Sequence, residues 1–281
     1  MNSNVTIHTL YNGVQLPGIG IGTHQAHGEA AVDALVYALD IGYRLIDTAA
    51  AYCTEPVVAE AISRSSVARE DVFVTSKLRN ACHGYRATME AFELSLQQLQ
   101  VKYLDLYLIH WPNPVQFRPI WREATIETWR AFEELYAQGR VRAIGVSNFM
   151  PHHITLLEEN CRVLPMVNQL HLCPGITQAN IVEFCEKRGV AVEAYSPLGT
   201  GSVFQSSLLA TLCEKYGKSI SQICLRWSIQ MGFIPLPKSI TRSRILENLQ
   251  VFDFELDAQD MQALSALNVC GKPADPDHVS F

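Results

Sequence analysis

The chain has 281 residues, 48% of them apolar, and a formal net charge of −6. That is enough material for the core of an α/β barrel, which needs about 250 residues, while the mild acidity gives no reason to expect nucleic acid or an anionic membrane as partner. No run reaches the roughly 18 apolar residues of a membrane span. The start "MNSNVTIHTL" is unlike a secretion signal, and the eight cysteines contain no C-x-x-C pair, so free thiols in a cytoplasmic protein without a bound metal are expected.

The first expected element is a hairpin, because "VTIHTLYNGVQLP" alternates apolar and polar residues around Asn12-Gly13. β-rich runs follow at 18–21, 43–47, 72–77, 104–110, 141–147, 166–170, 190–196 and 233–238. Helical patterns separate them at 29–41, 55–64, 84–99, 125–138, 151–160, 178–188, 205–216 with 219–230, and 242–249. In 84–99 the helical spacing runs through Met89, Phe92, Leu94 and Leu96 to Leu99. Such alternation implies parallel strands joined by crossovers. An open doubly wound sheet and a closed (β/α)8 TIM barrel compete, and eight evenly spaced strands favour the barrel. The hairpin would cap its bottom, and a further helix at 257–267 and the tail "GKPADPDHVSF" lie beyond it. No linker rich in Pro, Gly or Ser divides the chain, so one domain over 1–281 is expected.

Barrel active sites form where strands run out at the C-terminal face. There the second strand delivers Asp47 and, from its loop, Tyr52; the third delivers Lys77; the fourth delivers His110. Any one of these alone reads as a helix cap or a rim ion pair. Together they suit one task. A tyrosine with an ordinary pKa of about 10 is a poor proton donor. A neighbouring ammonium makes its hydroxyl more acidic, a carboxylate keeps that ammonium charged, and a neutral imidazole orients a carbonyl. The set reads as Tyr52 general acid, Lys77 tuner, Asp47 anchor and His110 positioner. It lacks a nucleophile, so a hydride from a cofactor would complete the reaction.

"DTAAAY", the lysine of "TSKL" and the histidine of "YLIHWP" resemble the catalytic tetrad of the aldo-keto reductase family, with local similarity to its bacterial 2,5-diketo-D-gluconate reductase-like group. The resemblance runs from about residue 5 into the tail. It implies NADP(H)-dependent reduction of aldehydes or ketones by a monomer acting on a small-molecule carbonyl substrate. The alternatives are a non-catalytic barrel that binds a nicotinamide nucleotide as sensor or partner subunit, and an isomerase or lyase. "GIGIG" at 18–22 is not a dinucleotide fingerprint, since Thr23 stands where glycine is needed. Instead "PKSITRSRILEN" resembles the family's adenosine 2′-phosphate site: Lys238, Ser239 and Arg244 match phosphate contacts, and Glu247 and Asn248 match positions near the adenine. A helix N-terminus beside a lysine, an arginine and a hydroxyl suits a phosphate monoester. The competing reading is a plain N-cap at Thr241 with Arg244 on a solvated face. The resemblance also assigns Thr23, Ser147, Asn148, Gln169, Tyr195, Ser196 and Leu198 to the cofactor, with Tyr195 stacking on the nicotinamide.

The substrate wall would comprise His24, Trp111, the loop 112–122 and the tail after Cys270. Arg118 or Arg122 would either favour a carboxylated substrate or lie solvated. Departures from the family pattern fall at His24, in place of a bulky aromatic, at Thr54, Val57 and Ala59 after Tyr52, at His171 and Cys173, and at Ser202, in place of a latching aspartate.

Overall fold

The computed structural model describes residues 5–268 and 270–281. The Asn12-Gly13 turn, with Gly13 at φ 87°, joins β1 (Ile7–Thr9) to β2 (Gln15–Pro17) in an antiparallel pair. Leu10 and Leu16 are buried beneath it. Tyr11 Oη donates to the Leu164 carbonyl, and Asn12 Nδ2 donates to that of Arg142 at 3.0 Å. Both acceptors lie where barrel strands begin, so the hairpin sits on the bottom of the barrel.

Eight parallel strands follow in sequence order: β3 (Ile21–Gly22), β4 (Leu45–Asp47), β5 (Phe73–Leu78), β6 (Leu104–Ile109), β7 (Val141–Ser147), β8 (Val167–His171), β9 (Ala191–Tyr195) and β10 (Ile234–Leu236). The first and last meet through backbone hydrogen bonds from Gly20 to Pro235 O at 3.0 Å and from Gly22 to Pro237 O at 2.9 Å. This is a closed (β/α)8 barrel, not an open doubly wound sheet. The seam needs glycine: a Cβ on Gly20 would stand 2.6 Å from the side chains of Leu45 and Leu236.

The helices are α1 (Glu29–Ile41), α2 (Glu55–Arg64), α3 (Tyr85–Leu99), α4 (Trp121–Ala137), α5 (Pro151–Asn160), α6 (Ala179–Glu186), α7 (Ser207–Tyr216), α8 (Ile220–Gln230), α9 (Arg242–Leu249) and α10 (Ala258–Ser265). The first barrel strand is Ile21–Gly22 and not 18–21, and two further details differ from expectation. Helix α4 begins at Trp121, not 125, because the preceding segment Val115–Ile120 already coils as a 3-10 turn. Leu94 is 55% exposed: it stands two residues from Phe92, hence on the far side of α3, whose buried face is Thr88, Phe92, Ser95, Leu96 and Leu99. Among the described residues all cysteines are free thiols, and no helix is long and apolar enough to cross a membrane.

Gly20→Ala should lower unfolding stability by about 1–3 kcal/mol through overpacking at the seam. Urea denaturation measures this, and an unchanged midpoint would show that the seam can relax.

Candidate active site

Parallel strands in a closed barrel end on one rim, which brings together residues far apart in sequence. Lys77 on β5 is fully buried. Its Nζ donates to Asp47 Oδ1 at 2.6 Å, Asp47 Oδ2 at 2.7 Å and the Thr48 carbonyl at 2.9 Å. Those three acceptors match the three donors of an ammonium. Burial works to depress the Lys77 pKa, but Asp47, Tyr52 and Glu193 outweigh it and hold the group above its ordinary value. A 3-10 turn, Ala50–Tyr52, carries Tyr52 back over the rim. There the ammonium lies 5.0 Å from the ring centroid, and Tyr52 Oη is 3.5 Å from His110 Nε2.

The electrostatics correct one expectation. Burial raises the Tyr52 pKa, and the opposing charge of Lys77 only partly offsets it. The phenol is therefore less acidic than free tyrosine, although Lys77 acts in the expected direction. Burial, with Lys77 and His24 beside it, pushes His110 down to about 3, so its imidazole is neutral.

Sequence reasoning missed Glu193. It sits on β9 opposite Gln169 of β8 and is fully buried. Gln169 Nε2 donates to Glu193 Oε2 at 2.7 Å and to Asp47 Oδ1 at 2.9 Å, while Glu193 Oε1 has no partner among the described residues. Burial first, then the Asp47 charge, pushes Glu193 up to about 8, so at neutral pH it is mostly a protonated acid. The signal was present: a glutamate interrupts the apolar run "VAVEAYS" at a position alternating with the buried Ala194 and Val192.

A cavity of about 760 Å³ opens above this network, within the range of ligand sites. Asp47, Tyr52, His110, Ser147, Asn148, Gln169, Tyr195, Ser196, Leu198 and Lys238 line it, as do His24 and Trp111. Tyr195 Oη donates to Asn148 Oδ1 at 2.9 Å, and His171 stacks on the Tyr195 ring with centroids 5.3 Å apart. The departure at His171 thus braces that ring. Gln25, Asn148, Ser196 and Thr200 on the wall hold left-handed backbone, strain of the kind concentrated at functional sites.

Other expected residues lie elsewhere. Thr23 does not line the cavity: its fully buried hydroxyl meets Thr54 Oγ1 at 2.9 Å and the Asp47 carbonyl at 3.1 Å. Thr54 in turn reaches Thr48 Oγ1 at 2.9 Å, so these threonines brace the turn carrying Tyr52. Ser239, Arg244, Glu247 and Asn248 also stand off the cavity wall. Ser239 Oγ accepts the Thr241 N–H at 3.1 Å, Glu247 accepts the Ser219 hydroxyl, and Asn248 is buried. Arg244 is exposed and, among the described residues, neither it nor Lys238 forms an ion pair. The Thr241 side chain makes no capping hydrogen bond to α9, which removes the support for a plain N-cap. An open helix N-terminus with two uncommitted cations is the donor set a nucleotide phosphate needs.

The substrate wall is narrower than expected. No residue of 112–122 lines the cavity; Phe281 from the tail and Asn80 and Phe204 from other loops do. Arg118 Nη2 is committed to the Val279 carbonyl at 2.6 Å, and Arg122 lies over the Trp121 ring at 4.7 Å. Arg122 is exposed, and neither arginine lines the cavity.

A model of the Aldo/keto reductase family matches residues 18–269. The glyoxal reductase of Bacillus subtilis (strain 168) is 45% identical over 260 residues, covering 92% of this chain and 91% of that protein. An aldo-keto reductase from a Medee basin deep-sea metagenome library matches with a TM-score of 0.92 at 40% identity, over 98% of this chain and 100% of that one. The Bombyx mori aldo-keto reductase in complex with NADP gives a TM-score of 0.85 at 34% identity, over 97% and 99%. With a closed barrel and four polar groups converging on one rim, the chain belongs to the aldo-keto reductase family.

Proposed function

We propose that this aldo-keto reductase, an NADP(H)-dependent oxidoreductase of carbonyl groups, reduces small aldehydes and dicarbonyl compounds with Tyr52 as the proton donor. The observation that carries the reading is the buried Lys77 ammonium, gripped by Asp47 beneath the Tyr52–His110 contact. When bound, NADPH supplies the hydride. The chain's own part is to hold the carbonyl and deliver a proton to its oxygen. Neutral His110 orients that oxygen beside Tyr52 Oη. Tyr52 stays protonated at neutral pH because burial disfavours its phenolate. As negative charge develops on the substrate oxygen, the Tyr52 proton moves to it, and the phenolate left behind faces the Lys77 charge.

Lys238, Ser239 and Arg244 would hold the 2′-phosphate; Ser147, Asn148 and Gln169 would hold the carboxamide, with Tyr195 beneath the ring. Gln169 supports this role through its bond pattern. Both its amide hydrogens go to carboxyl groups, so Oε1 is the atom left for a ligand. Ser196 and Leu198 would face the pyrophosphate. Glu247 and Asn248 would shape the adenine end of the site, and Thr23 would act only by bracing it. A small aromatic substrate wall and the 45% identity to a glyoxal reductase favour compact carbonyls. The proposal extends to a monomer, as the family resemblance implies, in the cytoplasm, where the free thiols fit; size-exclusion chromatography and cell fractionation check it.

Tyr52→Phe should lower kcat by about 10²–10⁴-fold while NADPH still binds; near-normal turnover would remove Tyr52 from proton donation. Arg244→Ala should weaken NADPH by about tenfold or more through loss of a charge-assisted bond, with little effect on NADH. Equal loss for both nucleotides in a fluorescence titration would place the 2′-phosphate elsewhere. Glu193 makes a prediction about stability. Its folded pKa is raised from 4.5 to about 8, so the native state binds the proton more tightly than the unfolded chain. Its contribution is complete below 4.5 and is lost as pH rises through about 8. Glu193→Gln should therefore gain on wild type across that window by on the order of a few kcal/mol. Chemical denaturation at several pH values measures the gap, and a gap independent of pH would mean that Glu193 ionises normally.

A further inference from the structure

The tail beyond Cys270 is tied down by a polar knot that the catalytic reading does not use. Asp277 Oδ1 accepts from Asn113 Nδ2 at 3.2 Å and pairs with His153 Nε2 at 2.9 Å; Oδ2 is 3.1 Å from His152 Nε2. His153 is fully buried, and its Nδ1 accepts the Met150 N–H at 3.0 Å. A neutral ring must then carry its proton on Nε2, aimed at Asp277. That tautomer argues against a metal centre, although the three ligand atoms lie within 4.8 Å of one another. An ion on Nε2 would require a proton on Nδ1, where a backbone donor already points.

The knot lies close in sequence to the substrate wall. Past it, Arg118 Nη2 holds the Val279 carbonyl at 2.6 Å, and the Val115 N–H holds that of Phe281 at 2.9 Å. Phe281 then stands edge-on to Trp111, centroids 5.2 Å apart, and both rings line the cavity that holds Tyr52 and His110. Yet Phe281 is 54% exposed. Burial of its own ring is too slight to fix it at the mouth, so its position depends on anchors behind it.

We propose that Asp277, gripped by Asn113, His152 and His153, is a positioning residue that holds Phe281 as the outer wall of the substrate pocket and so sets which carbonyl compounds bind tightly. The proposal rests on the reductase reading and deepens it. Compact dicarbonyls reach Tyr52 without touching the outer wall. Substrates carrying a ring extend to it and gain from an aromatic contact.

The test compares glyoxal with 4-nitrobenzaldehyde. Asp277→Ala should raise KM for the aromatic aldehyde by about tenfold, the loss of one aromatic contact. It should leave kcat for both substrates, KM for glyoxal and the affinity for NADPH unchanged. Asp277→Asn, which keeps an acceptor for Asn113 and His153, should restore the wild-type KM. Phe281→Ala should reproduce the effect of Asp277→Ala, and the double variant should be no worse than either, because both act on one wall. Equal changes for the two substrates, or additive effects, would overturn the proposal. Limited proteolysis supplies a readout free of turnover: cleavage within 271–281, mapped by mass spectrometry, should accelerate in Asp277→Ala and not in Asp277→Asn. A tail as protected in Asp277→Ala as in wild type would overturn the anchor. Wild-type protein inert toward both aldehydes would overturn the reductase reading, while the proteolysis contrast still decides the anchor.

Discussion

A lysine ammonium buried from solvent is the constraint around which the rim is built. Removing such a charge from solvent costs several kcal/mol, and only a close partner with every donor satisfied offsets that. Asp47 and the Thr48 carbonyl do so for Lys77. The arrangement has consequences for its neighbours. Asp47 ends β4 on a buried carboxylate that accepts from Lys77 and Gln169, and the hydroxyls of Thr23, Thr48 and Thr54 join beside its backbone. Tyr52 must return over the ammonium, and the 3-10 turn after β4 brings it there.

The same pair governs the charge balance deeper in the barrel. A second carboxylate beside Asp47 would be repelled, and Glu193 avoids this by keeping its proton. Gln169 then serves two functions with one amide. Its nitrogen faces both carboxyl groups, which fixes the amide's orientation, and its oxygen is left for the cavity. Barrel interiors are ordinarily filled by branched aliphatic side chains. Here the upper layer is polar, and stability is traded for an ordered electrostatic field beneath the reacting atoms.

Away from that centre the molecule separates rigid from adjustable parts. The hairpin seals the bottom with buried leucines and backbone hydrogen bonds, and the glycine seam closes the staves. At the mouth, the segments 112–122 and 271–281 hold each other through side-chain and backbone hydrogen bonds. Substrate preference can change in that outer layer without disturbing Lys77 and Asp47.

The sequence by itself determined the alternation of elements and picked out four polar side chains that meet on one rim. Both leave local marks: apolar runs of strand length, and polar residues ending them where a core strand would not choose one. Asp47, Lys77 and His110 were readable because each sits at or beside such an ending, and Tyr52 because it follows Asp47 in the next turn. Tertiary structure alone decided the rest. Arg118 read as either a substrate contact or a solvated residue but holds Val279; Thr23 read as a cofactor contact but braces Asp47; Glu193 drew no reading in its strand but accepts from Gln169. In each case the deciding partner comes from a distant part of the chain. A side chain's hydrogen-bond partner across a barrel leaves no trace in the residues beside it, so it becomes known only when the strands are closed into a ring.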